Sequence, residues 1–381
     1  MGGAAMALAA CTATDDATQH PADEEAVVRQ VTMRICLQPD MDMTTGGTPL
    51  TRAKGDPGTY EHFDFPRYFY VYAVGFTDAE GDYPESTGGT VCPVVLDGST
   101  EVNRIDVGPK DWEMYNMYVD PPQTLNDSVY GSKQNVTFKV PSNSITKLRF
   151  YVAASPVPLK HDGHELGVDD QVLKSGHNES HVLGLRFDVD DALISAGLHN
   201  VYSSPYNYAP AGSPYNGEYY YTINDPTTTG DITRIIYHVA AKVDVIWNVA
   251  KERQSSVRIT HVEARKLKQR NCLLFKPTEN TWTNEDADHN YTHELMDGDD
   301  DVGRQWYGRE YFYTIPYRDN FYVHLHLRKN GDGSSTDGYN LRLKKDLTPA
   351  AYSIFTPWLR TDLRFTGPFN YNATETEIVI P

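Results

Sequence analysis

Several features that are common in binding and catalytic proteins are scarce in this sequence of 381 residues. Cysteine occurs only four times, at positions 11, 36, 92 and 272, which is too wide a spacing for a zinc ribbon or a Cys-x-x-Cys redox pair. No run approaches the ~20 apolar residues of a membrane-spanning helix. Basic residues are a minority, with 34 Lys and Arg against 52 Asp and Glu and a net charge of −18. Because nucleic acids and anionic lipid surfaces attract basic patches, the sequence predicts no nucleic-acid partner and no electrostatic adsorption to a membrane.

Catalytic motifs are missing as well. The sequence has no Gly-x-Ser-x-Gly elbow, no P-loop and no Gly-x-Gly-x-x-Gly segment followed by a helix. Asp190 and Asp191 could serve a glycosidase, but acidic residues are plentiful and their spatial separation cannot be read from sequence. His324 and His326 share one face of a predicted strand, yet without a His-Glu-x-x-His helix, surface or half-buried histidines are the favoured interpretation. The sequence therefore predicts no enzyme, no catalytic residue, no cofactor and no metal site.

The residues that are abundant favour β-structure. The chain contains 26 Tyr, 28 Gly and 23 Pro, a composition typical of strands joined by tight turns. Residues 31–37 alternate strictly, so that Val31, Met33, Ile35 and Leu37 point to one face. Helical periodicity is confined to one or two turns near residues 190–198. These patterns predict an all-β protein.

The predicted strands form two series separated by a Tyr- and Pro-rich stretch, 202–215, which is interpreted as a linker or long loop. Within the strongest apolar run, 232–249, helix and strand remain alternatives, and β-branched residues favour a strand towards its end. We interpret the two series as two β-sandwich domains, over residues 31–198 and 199–381. The first series covers residues 31–37, 69–76, 102–107, 136–140, 148–154 and 182–189, and the second covers 232–249, 257–262, 272–275, 311–315, 321–327, 339–343, 363–365 and 378–380.

The N-terminus carries a lipidation signal. Residues 8–11, Leu-Ala-Ala-Cys, resemble the lipobox of bacterial lipoproteins, in which Cys11 would become the acylated first residue of the mature protein. Residues 1–11 would then be the remnant of a signal, and 12–30 an acidic tether too polar to fold alone. Each buried CH₂ of a fatty acyl chain such as palmitate contributes roughly 0.8 kcal/mol, so several chains anchor durably. The alternative is a flexible N-terminus with a chance Cys, since residues 1–10 lack a basic region.

Three cysteines remain inside the predicted domains. Buried free thiols are favoured for Cys36, Cys92 and Cys272, with a Cys36–Cys92 disulfide as the alternative.

The arrangement as a whole resembles a known family. The lipobox at Cys11, the early strand 31–37, the loop Thr51-Arg52-Ala53, the strand-rich segment 69–78 and the run 234–248 together resemble the fimbrillin-type proteins of Bacteroidetes, the subunits of type V pili. The resemblance implies two transthyretin-like β-sandwich domains in tandem. It also implies a lipoprotein of the outer membrane and cell surface that assembles or anchors fimbriae, with other pilin subunits as partners.

The resemblance also implies a maturation step. In polymerising members of the family a trypsin-like protease cuts after an Arg in a loop that follows the first strand, and here that residue would be Arg52, with Ala53 as the new N-terminus. An ordinary exposed Arg is the alternative, and an anchor member would keep the strand. The residues implied in strand exchange are Val31, Met33, Ile35 and Leu37 in the strand that leaves and Ile378 and Ile380 in the C-terminal strand that enters. A plain closing strand is the alternative for the C-terminus.

The sequence thus predicts a fimbrial subunit or accessory pilin that supports adhesion, with a host protein or glycan as candidate ligand. The alternative is a surface glycan-binding lipoprotein, in which Tyr206, Tyr208 and Tyr215 would stack on sugar rings.

Overall fold

The fold is known from a computed structural model that describes residues 26–37, 66–77, 88–96, 99–117, 127–204, 221–222, 231–249, 251, 254–255, 257–297, 302–315, 317, 321–329, 337–345, 358–364 and 375–380. Within these ranges no helix has both the length and the apolar character needed to cross a membrane.

The described residues form 24 strands and three short α-helices, which confirms the all-β class. The strands of the first half are β1 Val27–Leu37, β2 Tyr68–Phe76, β3 Thr90–Cys92, β4 Val94–Leu96, β5 Thr100–Glu101, β6 Arg104–Asp106, β7 Trp112–Met117, β8 Asp127–Val140, β9 Lys147–Ser155, β10 Lys160–His161, β11 His164–Glu165, β12 Arg186–Phe187, β13 Tyr202–Ser203 and β14 Tyr221–Thr222. The strands of the second half are β15 Asp231–His238, β16 Ala241–Asn248, β17 Val257–Lys268, β18 Cys272–Leu273, β19 Asn290–Asp297, β20 Tyr307–Thr314, β21 Phe321–Lys329, β22 Asp337–Lys345, β23 Trp358–Arg364 and β24 Glu375–Ile380. The helices are α1 Glu179–Leu183, α2 Asp191–Ala196 and α3 Asn284–Asp288.

Twelve strands are joined in one hydrogen-bonded sheet. Its main path runs β3-β2-β9-β13-β15-β1-β8-β4-β5, with β14 paired to β9, β6 to β2 and β7 to β8. Hydrophobic side chains on one face of this sheet enclose the first core, which contains Phe69, Val71, Phe138 and Phe150. β2 is apolar or aromatic on both faces, and eight of its nine residues are buried.

The opposite face of β2 belongs to a second core. Tyr70, Tyr72 and Val74 pack there against hydrophobic residues of α1 and α2 and of the segment 272–275. Phe275 makes edge-to-face contacts with Tyr72, at 5.7 Å between ring centroids, and with Tyr151, at 5.4 Å. The second half of the chain is therefore packed onto the first sheet through aromatic rings, a geometry that adds about 0.5–1.5 kcal/mol per pair beyond burial.

A third core lies between two smaller sheets of the second half. One has the order β20-β16-β23 and the other β19-β17-β21-β22-β24. Trp247 of β16 is fully buried here, and its indole N–H donates to the backbone carbonyl of Arg304 at 2.8 Å. Gly308 pairs directly with Trp247, and a Cβ at this position would lie 2.2 Å from the indole ring. Position 308 therefore has to be glycine for the ring to fit.

Most predicted strands are confirmed, and three of the differences bear on the fold. β1 begins at Val27, inside the predicted tether, because the 14-residue β8 extends far enough to pair with residues 27–30. A predicted strand over 182–189 is wrong in its first part, because Asn178 caps a helix there by accepting a hydrogen bond from the backbone N–H of Ser180. The apolar run 232–249 is two strands, of which β15 pairs with β1 rather than with the sheets of the second half.

Three cysteines lie within the described residues, and all three are free and buried: Cys36, Cys92 and Cys272. Burial raises the pKa of the Cys36 thiol to about 11 and that of the Cys92 thiol to about 12. Both are therefore protonated near neutral pH and poorly nucleophilic.

One buried ion pair connects α3 to β17. The ammonium of Lys268 donates to both carboxylate oxygens of Asp286, at 2.7 and 2.8 Å, and the two side chains are 1% and 0% exposed. Asp286 also accepts hydrogen bonds from the backbone N–H and the hydroxyl of Thr283, at 2.7 and 2.8 Å. The carboxylate of Asp286 therefore neutralises the charge of Lys268 and also accepts the backbone N–H of Thr283 at the start of α3.

We expect Asp286→Asn to lower the free energy of unfolding by about 3–5 kcal/mol, because it leaves the Lys268 charge buried without a counter-ion. The exposed pair between Lys276 and Glu279 provides a control, since Glu279→Gln should change stability by less than about 1 kcal/mol. Urea-induced unfolding followed by tryptophan fluorescence measures both. Equal effects of the two substitutions would contradict the buried geometry.

Candidate functional site around the first strand

The strand β1 lies at the centre of the twelve-stranded sheet, between two strands that are distant in sequence. It pairs antiparallel with β8, from Val27 opposite Val140 to Cys36 opposite Gly131. On its other side it pairs parallel with β15, from Thr32 opposite Asp231 to Leu37 opposite Ile236. Along the main path of the sheet β1 alone joins β8 to β15, so its removal would leave two open strand edges.

One face of β1 is buried in the first core, as the alternation of the sequence predicts. Val31, Met33, Ile35 and Leu37 are between 0% and 3% exposed. Burying a side chain of this kind contributes about 1.5–3 kcal/mol, so the four together contribute about 6–12 kcal/mol. A whole domain is stable by only about 5–15 kcal/mol, and the first sheet therefore requires a strand in this place.

The other face of β1 carries the polar residues Gln30 and Thr32. The hydroxyl of Thr32 donates to the side-chain oxygen of Asn135 on β8 at 3.1 Å. The amide of Gln30 donates to the hydroxyl of Thr137 at 3.4 Å. These contacts form only in the observed register with β8. A shift by one residue would break them and would also turn the apolar face of β1 outwards.

The connection of β1 to the rest of the chain lies outside the described residues. β1 ends at Leu37, and the description resumes at residue 66, just before β2. The predicted cleavage site, Arg52 and Ala53, falls in this interval, and the predicted lipidation site, Cys11, precedes the first described residue. The roles of these three residues stay predictions.

The predicted donor segment forms the last strand, β24. Among the described strands it pairs with β22 alone, in parallel register, with Ile378 opposite Leu343 and Ile380 opposite Lys345. β24 is thus an edge strand of the five-stranded sheet, whereas β1 is a central strand of the twelve-stranded sheet. The structure does not bring the two predicted exchange strands together, so an exchange between them has to involve two copies of the chain.

The strand that completes the site lies in the second predicted series, and its pairing with β1 was not predicted. β15 follows β1 by about 200 residues and is its parallel neighbour, with Ile232 and Ile236 buried in the first core. The only sequence signal was the apolar run 232–239, which carries no information about its partner. The tyrosines considered for sugar binding, Tyr206, Tyr208 and Tyr215, lie outside the described residues.

No protein-family model matches the chain, and no curated protein sequence matches it. Several solved structures are similar to it. The tip fimbrial protein Mfa3 from Porphyromonas gingivalis, with a C-terminal truncation, is 10% identical with a TM-score of 0.37, and the match covers 83% of this chain and 82% of that one. A putative cell adhesion protein from Bacteroides eggerthii is 12% identical with a TM-score of 0.36, over 82% of this chain and 78% of the other. A putative adhesin from Bacteroides thetaiotaomicron is 10% identical with a TM-score of 0.32, over 81% and 78%. The chain is thus similar to fimbrial and putative adhesion proteins of Bacteroidetes.

The two faces of β1 can be compared by making one substitution twice. Val31 is 2% exposed and Val28 is 52% exposed on the same strand. We expect Val31→Ala to lower the free energy of unfolding by about 2 kcal/mol, because two buried methyl groups are lost. Val28→Ala should cost less than about 1 kcal/mol. Urea-induced unfolding measures both, and an equal or reversed pair of values would contradict the inward assignment of Val31.

Proposed function

We propose that this protein is a fimbrial subunit or accessory pilin of the cell surface that assembles by β-strand exchange and supports adhesion. The observation that carries the proposal is the position of β1. It is the first strand of the described chain, it fills the centre of a sheet, and both of its neighbours are distant in sequence. A strand that precedes the proposed cut can leave without unthreading the part of the chain that follows the cut.

The proposed sequence of events starts at the membrane. Acyl chains on Cys11 deliver the subunit to the outer membrane, and a trypsin-like protease cuts between Arg52 and Ala53. Since β1 precedes the cut, it is then held only by non-covalent contacts with β8 and β15. Its departure exposes an apolar groove together with unpaired backbone N–H and C=O groups on both sides. A strand from another subunit satisfies all of these groups at once, as in other cases of β-strand addition.

The groove defines the strand that can enter it. The incoming strand has to run parallel to β15 and antiparallel to β8, and it needs apolar residues at alternate positions to replace Val31, Met33, Ile35 and Leu37. We propose that β24 of a second copy supplies it, with Ile378 and Ile380 in two of the pockets. Support comes from its place at a sheet edge, since β22 is its one partner among the described strands.

We further propose two transthyretin-like β-sandwich domains in tandem. The pairing of β15 with β1 favours a boundary between β15 and β16, near residues 239–240, rather than at the predicted 198–199. In this proposal the protein has no catalytic activity, its partners are other pilin subunits, and a host protein or glycan is the adhesion ligand.

The maturation step can be tested in the native host with Arg52→Ala. If Arg52 is the cleavage site, wild-type protein should have Ala53 as its N-terminus and form ladders of SDS-resistant oligomers. The variant should begin at acylated Cys11 and form no ladder, because β1 still fills the groove. Mass spectrometry of the mature N-terminus and gel electrophoresis without heating measure the two results.

Arg67→Ala is the matched control, since Arg67 is an exposed arginine just before β2. It should be processed and assembled like the wild type. A wild-type protein that keeps an acylated Cys11 and an intact β1 would contradict the polymerising subunit and leave only an anchoring role. A soluble monomer with an unmodified N-terminus would contradict the fimbrial proposal altogether.

A further inference from the structure

A histidine and two carboxylates meet on the outer face of the five-stranded sheet, far in sequence from the groove of β1. His261 lies on β17, and Glu294 and Asp297 lie on the neighbouring β19. The Nε2 atom of His261 is 3.4 Å from Glu294 Oε1, and its Nδ1 atom is 3.8 Å from Asp297 Oδ1. Each of the three residues offers one ligand atom within 4.8 Å of the others, and all three side chains are partly open to solvent.

A β-bulge brings the two carboxylates to the same face. In a regular strand, residues three apart such as Glu294 and Asp297 point to opposite faces. In β19 the register with β17 shifts by one residue, so that Asp297 lies opposite His261 while Glu294 lies opposite Glu263. Leu295 and Met296, which lie between the carboxylates, are both buried in the third core. The extra residue therefore turns both acidic side chains outwards, towards His261.

The separations are suited to a bound metal ion. Zinc binds imidazole nitrogen and carboxylate oxygen at about 2.0–2.2 Å with tetrahedral angles, which puts neighbouring ligand atoms about 3.3 Å apart. The 3.4 Å between His261 Nε2 and Glu294 Oε1 matches this value. Since one imidazole gives a metal only one nitrogen, Asp297 faces the second nitrogen, where a carboxylate fixes the tautomer and raises the basicity of the ring.

The strand register places two further histidines opposite this part of β17. On the other side of β17, His326 of β21 pairs with His261, and His324 pairs with Glu263. Histidine and acidic residues thus occupy neighbouring register positions of β19, β17 and β21. Imidazole with carboxylate is a ligand set typical of zinc and other divalent transition metals, whereas calcium prefers oxygen ligands alone.

A second cluster of similar composition has its carboxylates engaged elsewhere. His161 lies near Asp162 and Asp188. Both oxygens of Asp188 already accept backbone N–H groups, from Asp162 at 2.8 Å and from Asn271 at 3.0 Å. The guanidinium of Arg270 lies 3.3 Å from Asp162, and its positive charge opposes a cation there. This second cluster stabilises the hairpin of β10 and β11 and serves as a control for the cluster around His261.

We propose that His261 and Glu294 bind a divalent transition-metal ion of the zinc class, with Asp297 positioning the imidazole of His261. This proposal does not depend on strand exchange, since none of the three residues belongs to β1, β8 or β15. It gives the outer face of the second half a binding capacity that sequence analysis did not predict.

Isothermal titration calorimetry of the full chain with zinc chloride, after treatment with EDTA, tests the proposal. We expect wild-type protein to bind Zn²⁺ more tightly than Ca²⁺. Loss of a carboxylate partner beside a ligand histidine typically weakens affinity about 10–100-fold, and we expect Asp297→Asn to fall in this range. His261→Gln and Glu294→Gln, which remove ligands, should weaken binding by at least about tenfold.

His161→Gln is the matched control and should leave the Zn²⁺ affinity unchanged. Thermal melting of each variant without metal verifies that the fold is intact, and the exposed positions of the side chains predict melting temperatures close to wild type. Absence of Zn²⁺ binding, tighter binding of Ca²⁺, or unchanged binding in both His261→Gln and Glu294→Gln would overturn the proposal. Loss of binding in His161→Gln alone would assign the metal to the other cluster and overturn it as well.

Discussion

The pairing of β1 between β8 and β15 is the constraint on which the first half of the molecule depends. β1 forms ten register pairs with β8 and six with β15, and it contributes four buried side chains to the first core. Along the main path of the sheet, β8, β4 and β5 lie on one side of it and the remaining strands on the other. β1 is therefore the one strand on that path that connects the two groups.

The second half of the chain is tied to this sheet by backbone and by packing. β15 pairs with β1, and the chain continues through the buried residues Val239 and Ala240 directly into β16. Phe275 then packs on Tyr72 and Tyr151, at the back of the same sheet. The direct connection from β15 to β16 and the aromatic contacts of Phe275 thus join the two halves. Within the described residues, they restrict how far one half can move relative to the other.

Local sequence patterns predicted local structure. They did not predict which strands pair when the two strands are distant in sequence. The alternation of Val31, Met33, Ile35 and Leu37 was sufficient to predict the buried face of β1, because period two is a property of the strand itself. The parallel partner β15 was not predictable, since an apolar run does not specify which strand it joins. The grouping of Glu294 with Asp297 was also unreadable, because period two assigns them to opposite faces and only the bulge reverses this.

The contribution of β1 to stability limits the ways in which the strand could be removed. Its four inward side chains contribute about 6–12 kcal/mol, which is comparable to the entire stability of a domain. A subunit that lost β1 without a substitute would expose the first core and two strand edges, and would tend to unfold or aggregate. In the proposed assembly, release and replacement would therefore have to be coupled, with the incoming strand pairing at one end as β1 leaves at the other. Among the described residues, β8 pairs with β1 from Val27 onwards, whereas the described pairs with β15 begin at Thr32. Within the described residues this end of β1 has one neighbouring strand, and the proposed exchange would begin there.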